Sequence, residues 1–278
     1  MGSLKFGFLL SVYKNDNPLF LDQCLKSIHS QTVMVDQTLV VVEGNIDKKI
    51  QKILNKYIKI IKGFKVLYIE NQIGPLNYGL PSSLNYGMIN TDVDYIIRID
   101  SDDINMNDRA EKIIKFQKKY PDCKIIGSNI VEYDEKMLIK GKERVVPELH
   151  KDIIKYSKFR NPFNGPAVSF HRITALKLGG YPLVASNEDY CLWVSFLKYN
   201  YKTYNIQENL VKMRAGKEII HRRSSTRYMR GEWQSIKYIF GIGYFNFYLF
   251  VFHLIIRTLI RLLPINLISK LYSKFLRK

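Results

Sequence analysis

The chain is poor in cysteine, has no glycine-rich nucleotide signature, has only a short apolar run near its start and holds almost no acid near its end. Each shortage excludes something. Cys24, Cys123 and Cys191 are the only cysteines in 278 residues, far apart and without Cys-x-x-Cys spacing, so neither a disulfide framework nor a structural zinc site is expected. A reducing, cytoplasmic compartment fits that usage. No Gly-x-Gly-x-x-Gly follows the first apolar run, and no Gly-x-x-x-x-Gly-Lys-Ser/Thr occurs anywhere, which argues against dinucleotide dehydrogenases and P-loop enzymes. Phe6–Val12 is apolar but short, Lys5 is its only nearby cation and no small-residue cleavage site follows, so no signal peptide is expected. With 46% apolar and 13% aromatic residues, disorder is excluded for most of the chain.

The formal charge of +18 suggests nucleic acid until its distribution is considered. Residues 212–278 hold 14 basic residues against Glu218 and Glu232, a net +12, so the excess belongs to the tail. The same tail carries the uncharged, Phe- and Tyr-rich run Tyr238–Ile256, then Arg257, Arg261 and an amphipathic stretch Ile265–Lys278. In that stretch Ile268, Leu271, Tyr272, Phe275 and Leu276 share one helical face, and Lys270, Lys274, Arg277 and Lys278 the other. A helix lying on an anionic membrane surface has this pattern. A spanning helix over 238–256 is disfavoured by Gly241, Gly243, Asn246 and His253, in a run barely of the ~20 residues that a bilayer needs.

Apolar runs at Leu4–Val12, Thr38–Glu43, Phe64–Glu70, Val93–Ile99 and Lys124–Ser128 predict strands buried on both faces. Helical patterns fall between them. Asn17-Pro18 supplies a cap and first-turn proline for a helix through His29; Ile46, Ile50, Ile53, Leu54, Tyr57, Ile58 and Ile61 mark a second; Pro81-Ser82 opens a third; Asn107 caps a fourth, with Ile113, Ile114 and Phe116 inward. This alternation predicts an α/β protein with an open, mostly parallel sheet and helices on both faces. Such sheets bind ligands at the carboxyl ends of their strands.

Asp100-Ser101-Asp102-Asp103 follows a buried strand at such an end. Three carboxylates in four residues repel one another unless a cation or strong donors compensate, and Mg²⁺ or Mn²⁺ favours one or two carboxylates plus phosphate oxygens. A metal-diphosphate site is therefore expected there, the plainer reading being a solvated turn that caps the next helix. Glu188-Asp189 opens a helix with Tyr190, Trp193, Val194 and Leu197 at helical spacing. One of the pair is a candidate general base, and a first-turn acid favoured by the helix dipole is the plainer reading. His221-Arg222-Arg223, with Arg214, Arg227 and Arg230 nearby, could supply a metal ligand and cations for a diphosphate. The loop Asn161-Pro162-Phe163-Asn164-Gly165-Pro166 is of a kind that lines sites.

Taken together, Ser11-Val12-Tyr13, Glu43, Arg98-Ile99-Asp100-Ser101-Asp102-Asp103, Leu178-Gly179-Gly180-Tyr181 and Glu188-Asp189-Tyr190-x-Leu192-Trp193 resemble glycosyltransferase family 2. The likeness is greatest to bacterial members that extend O-antigen and exopolysaccharide repeat units, and it covers roughly residues 5–215. The resemblance implies a GT-A (Rossmann-like) fold, an inverting mechanism and a nucleotide-diphosphate sugar donor, with a UDP-hexose such as UDP-Gal or UDP-Glc expected. By position it makes Asp189 the base with Glu188 beside it. Ser11, Tyr13, Glu43, Arg98, Asp100, Ser101, Asp102, Arg222 and Arg223 would contact the sugar nucleotide. Asp102, Asp100, Asp103 and His221 would hold Mn²⁺ or Mg²⁺. Residues 161–168 depart from the His-Pro-Thr-Val expected of the family, and Glu43 stands where Asp is usual.

The catalytic domain is expected over 1–235, its donor half over 1–130 and its acceptor half over 131–235, with a helical, membrane-associated tail at 236–278. The expected acceptor is a lipid-diphosphate-linked saccharide at the inner face of the bacterial cell membrane, without a nucleic-acid partner. A metal-dependent nucleotidyltransferase and a non-catalytic carbohydrate-binding module are the alternative readings.

Overall fold

The computed structural model describes residues 3–69, 79–215 and 226–262. Strands β1 (Phe6–Tyr13), β2 (Gln37–Glu43), β3 (Phe64–Ile69) and β4 (Tyr95–Arg98) run parallel in the order β3-β2-β1-β4. Helices α1 (Pro18–His29), α2 (Lys48–Ile60) and α3 (Leu80–Ile89) connect them. Successive side chains of a strand point to opposite faces. Phe8, Leu10, Val12, Val40 and Val42 accordingly join a core with α1 and α2, and Leu9, Leu39 and Val41 join a second core with α3. This is the expected α/β layering.

Local chemistry starts the helices much as the sequence predicts. Asn17 accepts the Leu19 N–H at 2.9 Å, with Pro18 the first helical residue, and Asp47 accepts the N–H groups of Lys49 and Ile50. Two expectations change. Helix α4 begins at Arg109 with Asp108 in the cap position; the Asn107 carbonyl instead accepts the Thr32 N–H. Strand β3 is not buried on both faces: Lys65 and Tyr68 are exposed, because the last strand of the sheet lies at the margin of both cores.

Beyond β4 the chain builds a second half from β5 (Ile104–Asn105), α4 (Arg109–Lys119), β6 (Cys123–Tyr133), β7 (Lys140–Arg144), α5 (His150–Ser157), β8 (Ser169–His171), α6 (Arg172–Lys177), α7 (Glu188–Lys198) and β9 (Lys202–Arg214). The sheet continues from β4 as β8-β6-β9-β5. Here β8 is antiparallel to both neighbours, and β7 pairs antiparallel with β6. Strand β6 outruns its expected end at Ser128 because β7 and β9 supply partners as far as Tyr133.

Two helices follow, α8 (Thr226–Gly241) and α9 (Phe247–Leu262). The expected boundary between residues 235 and 236 falls inside α8. It is corrected by packing, since Ile239, Tyr244 and Phe245 are buried in the same core as Trp193 and Phe196 of α7. The uncharged run 238–256 is divided between the two helices. Gly243 takes φ +71° in the connection, and Asn246 accepts the Leu249 N–H at 2.9 Å to restart the helix. Among the described residues no helix is long and apolar enough to cross a membrane. The amphipathic stretch 265–278 lies outside the described residues.

His171 offers a test of this packing. Its Nδ1 accepts the Thr174 N–H at the start of α6, and burial holds its pKa down to about 4. Because the unfolded chain takes up this proton first, the stability tied to neutral His171 is present above the ordinary pKa of about 6.5 and lost as pH falls toward the folded value. Urea midpoints should drop between about pH 7 and about pH 5. The variant His171→Asn, which keeps a cap acceptor but does not titrate, should drop less; equal slopes would exclude His171 as a source.

Candidate active site

The carboxyl ends of β1, β2 and β4 open onto one edge of the sheet. Ser11 is half-buried and Tyr13 exposed at the end of β1, whose last N–H is taken by Asp16 Oδ2 at 3.2 Å. Glu43 ends β2 and accepts a hydrogen bond from Ser83 Oγ of α3 at 3.2 Å. After β4, Ser101 Oγ donates to Asp16 Oδ2 at 2.9 Å. Burial, opposed by the bonds from Ser101 and Tyr13, pushes the Asp16 carboxyl up to about 6, with the charges of Asp102 and Asp100 adding to the rise. Asp16 and Ser83 carry no motif signal; only the fold brings them to this edge.

The three acids of the turn have different surroundings. Asp102 is exposed, and Asp100, about a third exposed, accepts Arg98 Nη2 at 2.9 Å. Asp103 is 2% exposed; its Oδ1 accepts the Arg214 N–H at 2.8 Å, and burial drives its pKa well up. The expectation that Asp103 lies with the other two as a metal ligand is therefore corrected, because its carboxyl points into the fold and fastens β9. Arg214 completes that fastening: Nε donates to the Asp102 carbonyl at 2.9 Å, Nη2 to Gln23 Oε1 at 2.7 Å, and the guanidinium lies 3.7 Å over the Phe20 ring.

Arg98 also departs from its expected role as a nucleotide contact. It is 4% exposed and lies between two carboxylates, Asp100 on one side and Asp189 Oδ2 at 3.9 Å on the other. Burial alone would lower its pKa, but Asp100, Tyr181, Asp189 and Glu188 reverse that and hold the guanidinium charged. One buried cation thus ties the acidic turn to the first turn of α7.

At α7, Asn187 takes a left-handed conformation, φ +59°, and the two acids follow. Asp189, with 18% of its side chain exposed, accepts the Tyr190 N–H at 2.7 Å and Asn161 Nδ2 at 3.1 Å. Glu188 has its pKa raised, first by burial and then by the charge of Asp189. The segment 161–167 therefore supports a carboxylate. Gly165 is part of that support: a Cβ there would stand 2.7 Å from both Arg98 Nη1 and Asp189 Oδ2. His221, Arg222 and Arg223 lie outside the described residues.

Gly165→Ala should consequently destabilise the fold by about 1–3 kcal/mol, the usual cost of overpacking a filled site. Gly241→Ala is the control, since its added methyl meets nothing within 4 Å. Urea unfolding of the two variants checks this, and equal stabilities would show that the Arg98–Asp189 contact gives way freely.

A family model described as Glycosyl transferase family 2 matches residues 9–178. The chain is 34% identical to the UDP-Gal:alpha-D-GlcNAc-diphosphoundecaprenol beta-1,3-galactosyltransferase of Escherichia coli, across 99% of this chain and 97% of that one. It is 28% identical to the amylovoran biosynthesis glycosyltransferase AmsE of Erwinia amylovora, across 97% and 98%. Among solved structures, that of S. aureus TarS 1-349 has a TM-score of 0.64 at 14% identity, covering 98% of this chain and 75% of its own. The mannosyltransferase PcManGT of Pyrobaculum calidifontis, solved with GDP-Man and Mn²⁺, has a TM-score of 0.62 at 13% identity, covering 92% and 73%. The sheet order, the strand-end site and these matches agree: the fold is GT-A, and the chain is an enzyme that belongs to glycosyltransferase family 2.

Proposed function

We propose that this glycosyltransferase moves a hexose from UDP-galactose, or a similar UDP-hexose, to a hydroxyl of a lipid-diphosphate-linked sugar during assembly of a bacterial surface polysaccharide. The observation that carries the chemistry is the partly exposed carboxylate of Asp189, held by Asn161 and backed by buried Arg98. The E. coli relative, similar along nearly its whole length, supports the donor and acceptor by its name.

In this reading Asp189 takes the proton of the acceptor hydroxyl as that oxygen attacks the anomeric carbon. The carbon–oxygen bond to the diphosphate breaks on the opposite face, the nucleoside diphosphate leaves with the bonding pair, and the anomeric centre inverts. Both acids are partly exposed, and Asp189 is the one whose carboxylate Asn161 and Arg98 hold; with the family resemblance, this is the ground for taking Asp189 as the base. Ser11, Tyr13 and Glu43 would line the nucleoside. Exposed Asp102 and partly exposed Asp100 suit Mn²⁺ or Mg²⁺, which takes few protein carboxylates and completes its shell with phosphate oxygens. Among the described residues no group of three or more potential metal ligands occurs, so the proposal rests on the two carboxylates of Asp100 and Asp102. When bound, such an ion neutralises charge that develops on the leaving diphosphate.

Asp189→Asn should lower turnover by about 10²–10⁴-fold with donor affinity little changed, the span typical of removing a general base. Glu188→Gln should be milder. The reverse ranking in steady-state assays would move the base to Glu188. Chelation by EDTA should abolish transfer and Mn²⁺ or Mg²⁺ restore it, whereas full activity in chelator would exclude the metal site at Asp100 and Asp102.

The same proposal puts this reaction at the cytoplasmic face of the cell membrane. Tyr248, Phe252, Ile255 and Leu259 form an exposed stripe on α9, and the surrounding basic excess would add roughly 1 kcal/mol per cation near anionic lipid. Removing Pro264–Lys278 should weaken sedimentation with anionic vesicles and spare transfer to a short soluble acceptor. Unchanged vesicle binding, or unfolding of the shortened chain, would refute a surface role for that segment.

A further inference from the structure

Ala185, Ser186 and Asn187 lead into the two acids of α7, and α8 lies directly on them. The Ala185 N–H donates to Gln234 Oε1 at 3.0 Å, Ser235 Oγ donates to the Ser186 carbonyl at 2.6 Å, and Ser186 Oγ donates to the Tyr228 carbonyl at 3.3 Å. Gly231 lies against the same segment. A Cβ there would stand 2.5 Å from Ser186 Oγ and 2.6 Å from Ser186 N. Glycine is among the poorest helix formers, yet it occupies the interior of α8 at the point of closest approach. Ser235, one turn later, is 2% exposed, and its hydroxyl lies between two carbonyl acceptors, that of Ser186 in the loop at 2.6 Å and that of Gly231 in its own helix at 2.9 Å.

We propose that Gly231 and Ser235 are positioning residues for Asp189, acting through Ala185–Asn187. The proposal rests on Asp189 being the base. A first-turn side chain follows the backbone that enters its helix, and here the entering backbone is bonded to α8 while Asn161 and Arg98 hold the carboxylate from the other side. The absent Cβ of residue 231 sets how near the loop can come, and the Ser235 hydroxyl sets where its carbonyl rests. Together they fix the distance between Asp189 and a bound acceptor. These contacts reach the loop and not the acidic turn, which meets Asp189 only through Arg98, so the larger effect is expected on turnover and the smaller on nucleotide binding.

The test uses the full chain, a synthetic lipid-diphosphate GlcNAc acceptor and UDP-galactose, or whichever sugar nucleotide of a panel the wild type turns over. Calorimetry with UDP and Mn²⁺ reads the donor site, and urea unfolding reads the fold. Ser235→Ala should lower kcat by about 10-fold, within the loss that a displacement near 1 Å can cause, with donor KM and UDP affinity within about twofold of wild type. Ser235→Thr, which keeps the hydroxyl, should recover most of the rate, and Gly231→Ala should lower kcat further than Ser235→Ala. An unchanged kcat in Ser235→Ala would overturn the proposal. So would a loss of kcat matched by an equal loss of UDP affinity, which marks a general structural role. Asp189→Asn in the same assay separates the two ideas: a mild effect there refutes the base itself, whereas a severe effect beside wild-type Ser235→Ala refutes only the positioning by α8.

Discussion

A guanidinium taken out of water is costly unless carboxylates and hydrogen bonds surround it, and Arg98 meets that condition by standing between Asp100 and Asp189. The two carboxylates come from halves of the chain that the sequence separates widely. Their common cation makes the geometry of one depend on the other. Around it, β8 takes its place beside β4, with the Arg98 N–H donating to the Val168 carbonyl at 2.9 Å, and Gly165 leaves the space in which Arg98 and Asp189 meet. The acidic turn and Asp189 are therefore parts of one electrostatic unit.

The acidic turn shows how one short motif divides its labour. Asp102 faces solvent, Asp100 is shared with Arg98, and Asp103 is buried under the turn, where it receives the Arg214 N–H. A buried carboxyl of this kind resists ionisation, which suits a structural role. With Arg214 also bonded to the Asp102 carbonyl and to Gln23, the turn is held from below by β9 and α1.

The C-terminal hairpin belongs to this arrangement. Its inner residues complete the core around Trp193, and Glu232, 4% exposed, is matched by Arg257 at 2.9 Å. Its outer face is different, an aromatic and aliphatic stripe with no acid on α9. The same two helices thus hold the Ala185–Asn187 segment on one side and present an apolar face on the other.

Alternating apolar runs were enough to read the parallel half of the sheet, and Asn17-Pro18 was enough to begin α1, because strand burial and helix capping are set by residues a few positions apart. The acidic turn and Glu188-Asp189 were legible for the same reason: each is a local cluster of like charge that needs an explanation. What sequence could not show was the direction of each side chain. Asp103 and Asp102 are adjacent and alike in chemistry, yet only one is buried, and that follows from the arrival of β9 beside them. The resemblance makes Arg98 a sugar-nucleotide contact, whereas its burial comes from packing of β8 and the 161–167 segment. Gly165 lay in a loop marked only as of a kind that lines sites, and Gly231 and Ser235 carried no signal, since a missing Cβ or a buried hydroxyl matters only when another segment comes against it. Periodicity and local charge determined the elements and marked the candidate site, whereas long-range approach of separate segments decided which of its residues are exposed at the strand ends and which are buried and hold the others in place.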